Sequence, residues 1–252
     1  MEGHFLTDRG QVRNHNEDSG GLFYNKEQQL IAVIADGMGG HQAGDVASRL
    51  ATELVRDKWQ QASQLQTPGA IETWLKAAIV DINQSLYEHS LDNKECKGMG
   101  TTIVIAVCTK EFITIAHVGD SRCYLLNDNG FNQITEDHSL VNELVRSGQI
   151  TEVDAEQHPR KNILLKAIGT EQQVSEDVMT VDWEKGNRLL LCSDGLSNKL
   201  NDTELASFTQ ESNDLKEIGQ GMINLANERG GEDNISLILI QHDSSAVVGE
   251  NR

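Results

Sequence analysis

The sequence has little that would divide it. Its 252 residues include two prolines, Pro68 and Pro159, with no Gly/Ser-rich or charge-rich block and no repeat at a fixed period, so no linker marks off one half from the other. One domain over residues 1–242 is expected, because β-rich single domains of this length are common. With a hydrophobic share of 38%, a chain this long buries a core on the scale of a stable domain. Long apolar runs are also missing. The longest aliphatic run, Leu30 to Ala35, falls far short of the roughly 20 residues that cross a bilayer. Met1 to Gly10 has no apolar signal-peptide core, so direct membrane insertion and export are disfavoured and a cytoplasmic location is expected.

Basic charge is scarce. Lys and Arg number 21 against 39 Asp and Glu, a net charge of −18, which repels nucleic acid and anionic membrane at long range. No basic or aromatic groove for nucleic acid can be traced, and neither partner is expected. The four cysteines, Cys96, Cys108, Cys123 and Cys192, form no C-x-x-C pair. Three lie in apolar runs, where a thiol packs as a small hydrophobe, and a reducing compartment fits. The polar stretch 243–252 is expected to be a disordered tail.

Apolar runs of strand length are present at Leu30–Ala35, Ile103–Val107, Phe112–Val118, Leu189–Cys192 and Ile235–Ile240, with shorter candidates at Phe5–Thr7, Leu22–Tyr24, Tyr124–Leu126 and Phe131–Ile134. Asp128-Asn129-Gly130 reads as a hairpin turn between the last two. Ile71, Trp74, Leu75, Ala78, Ile79, Ile82 and Leu86 recur at helical spacing, as do Ala47, Leu50, Ala51, Leu54, Val55 and Trp59. Asp202 and Asp214 are expected to N-cap two later helices. Strands that follow one another, with helices in pairs, favour antiparallel sheets flanked by helices over a doubly wound parallel sheet. The polar stretch 137–166, with the short helical stripe Leu140, Val141, Leu144 and Val145, reads as an excursion from the sheets.

The acids stand at informative places. Asp36 follows Ile31–Ala35, Asp120 follows Ile113–Val118, Asp194 follows Leu189–Ser193, and Asp233 precedes Ile235–Ile240. Any one Asp-Gly after a strand is the ordinary signature of a tight turn, but four carboxylates at the ends of four buried strands are not explained that way. A divalent cation shared among them removes the cost of desolvating each alone. Oxygen donors without a Cys/His set favour Mg²⁺ or Mn²⁺ over structural zinc. Such ions, paired at about 3.5–4 Å, activate water for in-line attack on phosphorus. Arg13 offers a planar fork for two phosphate oxygens, with Glu17 and Asp18 close by. His117 alternates with Ile113 and Ile115 and reads as a satisfied core histidine. Thr101 and Ser121 lack a paired base, so a backbone-shaping role is expected rather than a nucleophilic one.

In order along the chain stand R-N-H-N-E-D (13–18), A-D-G-M-G-G-H (35–41), G-M-G-T-T (98–102), H-V-G-D-S-R (117–122), T-E-D-H-S (135–139), S-D-G-L (193–196) and G-G-E-D-N (230–234). The ordered set closely resembles the metal-dependent protein phosphatase family, type 2C, in its compact bacterial form. The resemblance implies an α+β, four-layer αββα sandwich: two central antiparallel sheets flanked by helix pairs. It implies two Mn²⁺ or Mg²⁺ ions per chain, bridged by Asp36, with the Gly37 carbonyl on one and Asp194 and Asp233 on the other. A weaker third ion would lie on Asp120 and Asp194. Glu17 and Asp18 would stand one layer behind the first metal, Arg13 would hold the substrate phosphate, and 137–166 would be a substrate-selecting flap.

Many eukaryotic relatives carry a histidine where Met38 stands, so the proton for the leaving alkoxide would come from His41 or from water on the third metal. The implied activity is hydrolysis of phosphoserine and phosphothreonine in phosphoproteins by a monomer, opposing a membrane serine/threonine kinase whose targets are the substrates. Arg146, Arg160, Lys161 and Lys166 in this segment read first as solvated surface charge, with attraction of phosphoproteins as the alternative. Two rivals stand beside it: a non-catalytic phosphoprotein-binding module of the same fold, and a metal phosphoesterase acting on nucleotides or sugars.

Overall fold

A computed structural model describes residues 1–40, 43–211 and 214–242; His41 and the expected tail at 243–252 lie outside them. In chain order the strands are β1 (Glu2–Asp8), β2 (Asp18–Tyr24), β3 (Leu30–Met38), β4 (Gly100–Thr101), β5 (Ile103–Cys108), β6 (Phe112–Val118), β7 (Arg122–Asn127), β8 (Gly130–Gln133), β9 (Asp177–Asp182), β10 (Arg188–Cys192) and β11 (Ile235–Gln241). The helices are α1 (Ala43–Gln61), α2 (Pro68–Asp92), α3 (Leu140–Arg146), α4 (Glu152–Glu156), α5 (Asp194–Ser197), α6 (Asp202–Gln210) and α7 (Leu215–Glu228). One sheet runs β1-β11-β10-β7-β8, the other β2-β3-β5-β6-β9 with β4 paired to β3, and every pairing is antiparallel.

The period-two alternation of strand side chains sorts the core into layers. Leu30, Ala32 and Ile34 of β3 join Leu189, Leu191, Ile238 and Ile240 between the two sheets. Their neighbours Ile31, Val33 and Ala35 turn outward onto the stripes of α1 and α2, among them Ala47, Ala51, Trp59, Ile79 and Leu86. On the far side Leu190, Leu237 and Leu239 meet Leu205, Ile218 and Met222 of α6 and α7. Strands covered on both faces carry near-continuous apolar runs, which is why these five read so clearly. The expected α+β sandwich of four layers is what the chain forms. All four cysteines are buried and unpaired; burial pushes the Cys108 and Cys192 thiols up to about 12, so they pack rather than react.

Two expectations are corrected, and one strand lies where none was expected. Asp36 does not follow its strand: β3 continues through Met38 because Gly37 and Met38 pair with Thr101 and Gly100. The N-cap of α6 is Asn201, whose side chain accepts from the Glu204 N–H in a capping box, leaving Asp202 as the first helical residue; Asp214 does cap α7. Strand β9 has no aliphatic run, since it is a half-buried edge strand whose Thr180 hydroxyl meets Thr114 at 3.0 Å and Glu72 at 2.7 Å.

The excursion at 137–166 carries α3 and α4 and is tied back at its root. Arg122 grips Asp137 through Nε at 3.0 Å and Nη2 at 2.8 Å, the His138 N–H donates to the Gly119 carbonyl at 2.9 Å, and the Leu165 N–H donates to the His138 carbonyl at 2.8 Å. The base is thereby fixed to the strand ends that carry the acids.

Leu191 is fully buried between the sheets. Leu191→Ala is expected to cost about 2–5 kcal/mol, measured as a lower urea midpoint at unchanged slope; a loss under about 0.5 kcal/mol, the size of a surface substitution, would contradict the inter-sheet core.

Candidate metal centre

The backbone around Asp36 is pinned by the G-M-G-T-T segment. The Asp36 N–H donates to Thr102 Oγ1 at 3.0 Å, its carbonyl accepts from Thr101 Oγ1 at 2.9 Å, and Thr102 Oγ1 meets Ser121 Oγ at 2.7 Å. Thr101 and Ser121 shape the backbone, as expected. Gly37 is enclosed so closely that a Cβ would lie 2.1 Å from the Gly44 carbonyl oxygen and 2.5 Å from that of Glu17; no residue larger than glycine fits where β3, the start of β2 and the start of α1 converge.

The other acids approach from separate elements. Asp18 opens β2 directly opposite Asp36. Its Oδ2 accepts from Ser193 Oγ at 2.8 Å, while its Oδ1 is buried with no hydrogen-bond partner. Asp194 begins α5 and accepts from Asn198 Nδ2 at 3.0 Å. Asp233 takes the Asn234 N–H on Oδ1 and Arg13 Nη2 on Oδ2, both at 2.8 Å. Asp120 follows β6.

Asn234 was part of a recognised motif but had no role assigned. Its Oδ1 accepts from the Glu17 N–H at 2.8 Å, and its Nδ2 donates to the carbonyls of Arg9 at 2.8 Å and His15 at 2.9 Å. The loop that presents Arg13 is therefore fastened to the strand that presents Asp233. An Asn after Asp reads locally as a turn residue, so nothing short of the fold reveals this. Ser193 and Asn198, which hold Asp18 and Asp194, were missed for the same reason.

Electrostatically the cluster is strained toward the neutral state. Burial, then Asp18, Asp194, Asp120 and Asp233, push Asp36 well above the carboxylate range. Asp18 and Asp120 are each raised to about 7, chiefly by burial and further by Asp194. Asp194 is raised by burial and by Asp233, with Asp36 and Asn198 opposing the rise. Burial and Asp233 likewise raise Glu17, with Arg13 opposing. Burial works against the Arg13 charge, but Asp233, Glu17 and Asp36 outweigh it and raise its pKa.

Five carboxyls gathered around Asp36, that of Asp18 with a buried oxygen left unpartnered, make an oxygen donor set suited to hard divalent cations, with the Arg13 guanidinium beside them. Among the described residues, no three of these acids bring one oxygen each within 4.8 Å of one another. They are spread around Asp36, with Asp233 drawn onto Arg13.

A second donor set does come within 4.8 Å, His117, His138 and Asp177, but its geometry opposes a cation. The rings stack at 4.7 Å and 15°, so their in-plane lone pairs do not converge, and Lys166 Nζ lies 3.5 Å from His138 Nε2 and 3.8 Å from Asp177 Oδ1. The Gly119 N–H donates to His138 Nδ1 at 3.1 Å, which leaves the ring proton on Nε2. His117 bonds the Glu136 carbonyl through Nε2 at 2.8 Å, and its Nδ1 has no partner, so it is less fully satisfied than expected. Burial lowers both histidine pKa values.

Residues 8–239 match the family model described as Protein phosphatase 2C. A serine/threonine phosphatase stp of Listeria welshimeri is 47% identical over 243 residues, 96% of each chain. The crystal structure of the serine/threonine phosphatase Stp1 from Staphylococcus aureus superposes with a TM-score of 0.91 at 41% identity, covering 96% of this chain and 95% of that one. The catalytic domain of the serine/threonine protein phosphatase PstP in complex with 2 manganese ions superposes with a TM-score of 0.84 at 30% identity, covering 96% and 98%. With the family model matching nearly the whole chain and with relatives of this identity and coverage, the chain belongs to the protein phosphatase 2C family.

Proposed function

We infer that this chain is a protein serine/threonine phosphatase that hydrolyses phosphoserine and phosphothreonine with two Mn²⁺ or Mg²⁺ ions, which Asp36 would hold with the acids around it. The observation that carries the reading is that Asp36 stands directly opposite Asp18 across the β2–β3 pairing, with Asp120, Asp194 and Asp233 near enough to push its pKa up. The Gly37 carbonyl would complete one ion's set and Asp194 with Asp233 the other's, while Asp120 with Asp194 would hold a third. The ions, when bound, supply charge neutralisation, activation of water and polarisation of the phosphate.

The residues divide the remaining work. Arg13, exposed and resting on Asp233, exchanges that carboxylate for two phosphate oxygens and so orients the phosphorus; Asp233 is thereby released toward the ions. Ser193 and Asn198 fix the Asp18 and Asp194 carboxylates, and Glu17 and Asp18 stand one layer behind. Met38 has no proton to give, so the leaving alkoxide takes its proton from His41 or from water at the Asp120–Asp194 site. A single domain over 1–242 acting as a monomer on phosphoproteins follows. A cognate membrane serine/threonine kinase and a cytoplasmic setting are proposed with it, supported by the family and by the lack, among the described residues, of a helix long and apolar enough to cross a membrane.

Asp36→Asn is expected to abolish Mn²⁺-dependent hydrolysis of p-nitrophenyl phosphate and of phosphothreonine peptides; full activity of the wild type in excess EDTA would overturn the reading. Arg13→Lys keeps the charge but loses the fork, and is expected to cost about 10–100-fold in kcat/KM, as for a lost charge-assisted hydrogen bond.

Stability has a pH signature. Carboxyls whose folded pKa is raised bind more protons folded than unfolded, so their contribution is present below about pH 4 and lost as pH rises toward 7. His117 and His138, held neutral, act in the opposite sense, so the check is a difference. Metal-free Asp36→Asn should melt above metal-free wild type at pH 8 and level with it below pH 4. A variant that melts below wild type at pH 8 contradicts the repulsion.

A further inference from the structure

A cleft of about 1260 Å³ opens from Asp120 and Asp194 and runs between α3 and α4 on one side and the Ser197–Glu204 edge on the other, as far as Arg229. Small-molecule pockets span about 300–1,000 Å³, so this one has room for a chain lying beside the reacting phosphate.

Its charges are unequally spent. Asp137 is paired with Arg122 at 2.8 Å, Glu204 with Arg229 through Nη1 at 2.7 Å, and Lys199 is taken by Glu232. Of the remaining lining groups outside the candidate metal cluster, Glu136, Glu152 and Asp202 are exposed acids without an ion pair among the described residues, against the single lysine Lys161. Two of the flap bases that could attract phosphoproteins are not available: Arg146 lies 2.6 Å from Glu143 and Lys166 is on Asp177.

We propose that this cleft receives the polypeptide flanking the phosphorylated residue and selects substrates with Lys or Arg there. The proposal rests on the phosphatase reading and adds its sequence preference. Charges of opposite sign across such a surface act on specificity and on association rate more than on the chemistry. The preference therefore belongs in kcat/KM and is screened by salt, since the Debye length falls from about 10 Å at 0.1 M to about 3 Å at 1 M.

The test compares two phosphothreonine peptides, identical except for Lys/Arg or Asp/Glu on both sides of the phosphothreonine, with p-nitrophenyl phosphate, which has no flanking chain. Three exposed charge pairs predict a kcat/KM ratio of about 10-fold in favour of the basic peptide at low salt. The ratio should approach one at high salt and in the E136Q/E152Q/D202N variant; as a ratio within one protein it is insensitive to the variant's overall activity. Equal kcat/KM for both peptides, or preference for the acidic one, would overturn this proposal and leave the phosphatase reading standing. No hydrolysis of any of the three substrates would overturn the phosphatase reading itself. Hydrolysis of p-nitrophenyl phosphate alone would overturn the proposal in favour of a small-molecule phosphoesterase.

Discussion

Five carboxyl groups, from Asp18, Asp36, Asp120, Asp194 and Asp233, are held together against their own repulsion and against the cost of partial burial. Little in the cluster itself favours this, since among the described residues the opposing charge comes from Arg13 at Asp233 and from Arg122 toward Asp120 and Asp194. The stabilisation comes from elsewhere, in the three apolar layers that lock both sheets and their helices. A hydrophobic core of this extent tolerates a local electrostatic penalty that a smaller one would not. The rest of the arrangement can be read as ways of bearing it: an amide on Asp194, a guanidinium on Asp233, a hydroxyl on Asp18.

The supporting hydrogen bonds decide where the repulsion is directed. Thr101 and Thr102 hold the Asp36 main chain, and Asn234 binds three points of the loop that carries Arg13 and Glu17. These groups are neutral, so they position charge without adding to it. Removing the acids would relieve the strain, and removing the neutral groups would let the acids move apart. The site is therefore more demanding of its Ser, Thr and Asn residues than their chemistry suggests.

Much of this was legible in the sequence, for identifiable reasons. Strands buried on both faces, such as Leu30–Ala35 and Ile235–Ile240, announce themselves by continuous aliphatic composition, and α1 and α2 by their stripes. The edge strand β9 was not legible because its residues are half-buried and its pairing is partly through hydroxyls. The end of β3 was misplaced because the short partner strand at Gly100–Thr101 comes from 60 residues away and leaves no local mark. The acids could be picked out because four of them stand at or near the ends of buried strands, more than ordinary turn chemistry explains. Asn234, Ser193 and Asn198 could not, since an Asn or Ser beside an Asp is ordinary turn chemistry and only its long-range partner distinguishes it.

A chain of net charge −18 that acts on anionic phosphoproteins faces a conflict of scale. At distances beyond the screening length its field is weak, and within it the acidic surface repels acidic partners. Attraction must therefore be local: on the proposed reading, Arg13 and the ions for the phosphate, and for the flanking chain whatever charge the cleft leaves unpaired. Since Asp137 and Glu204 are neutralised by Arg122 and Arg229, the net charge presented along the cleft is set by a few exposed side chains on the flap and the α6 edge. These are loop and helix-end positions, free to vary without disturbing the sandwich. On the proposed reading, the fold separates a cluster fixed by core packing, which would perform the chemistry, from a rim whose charge would choose the substrate.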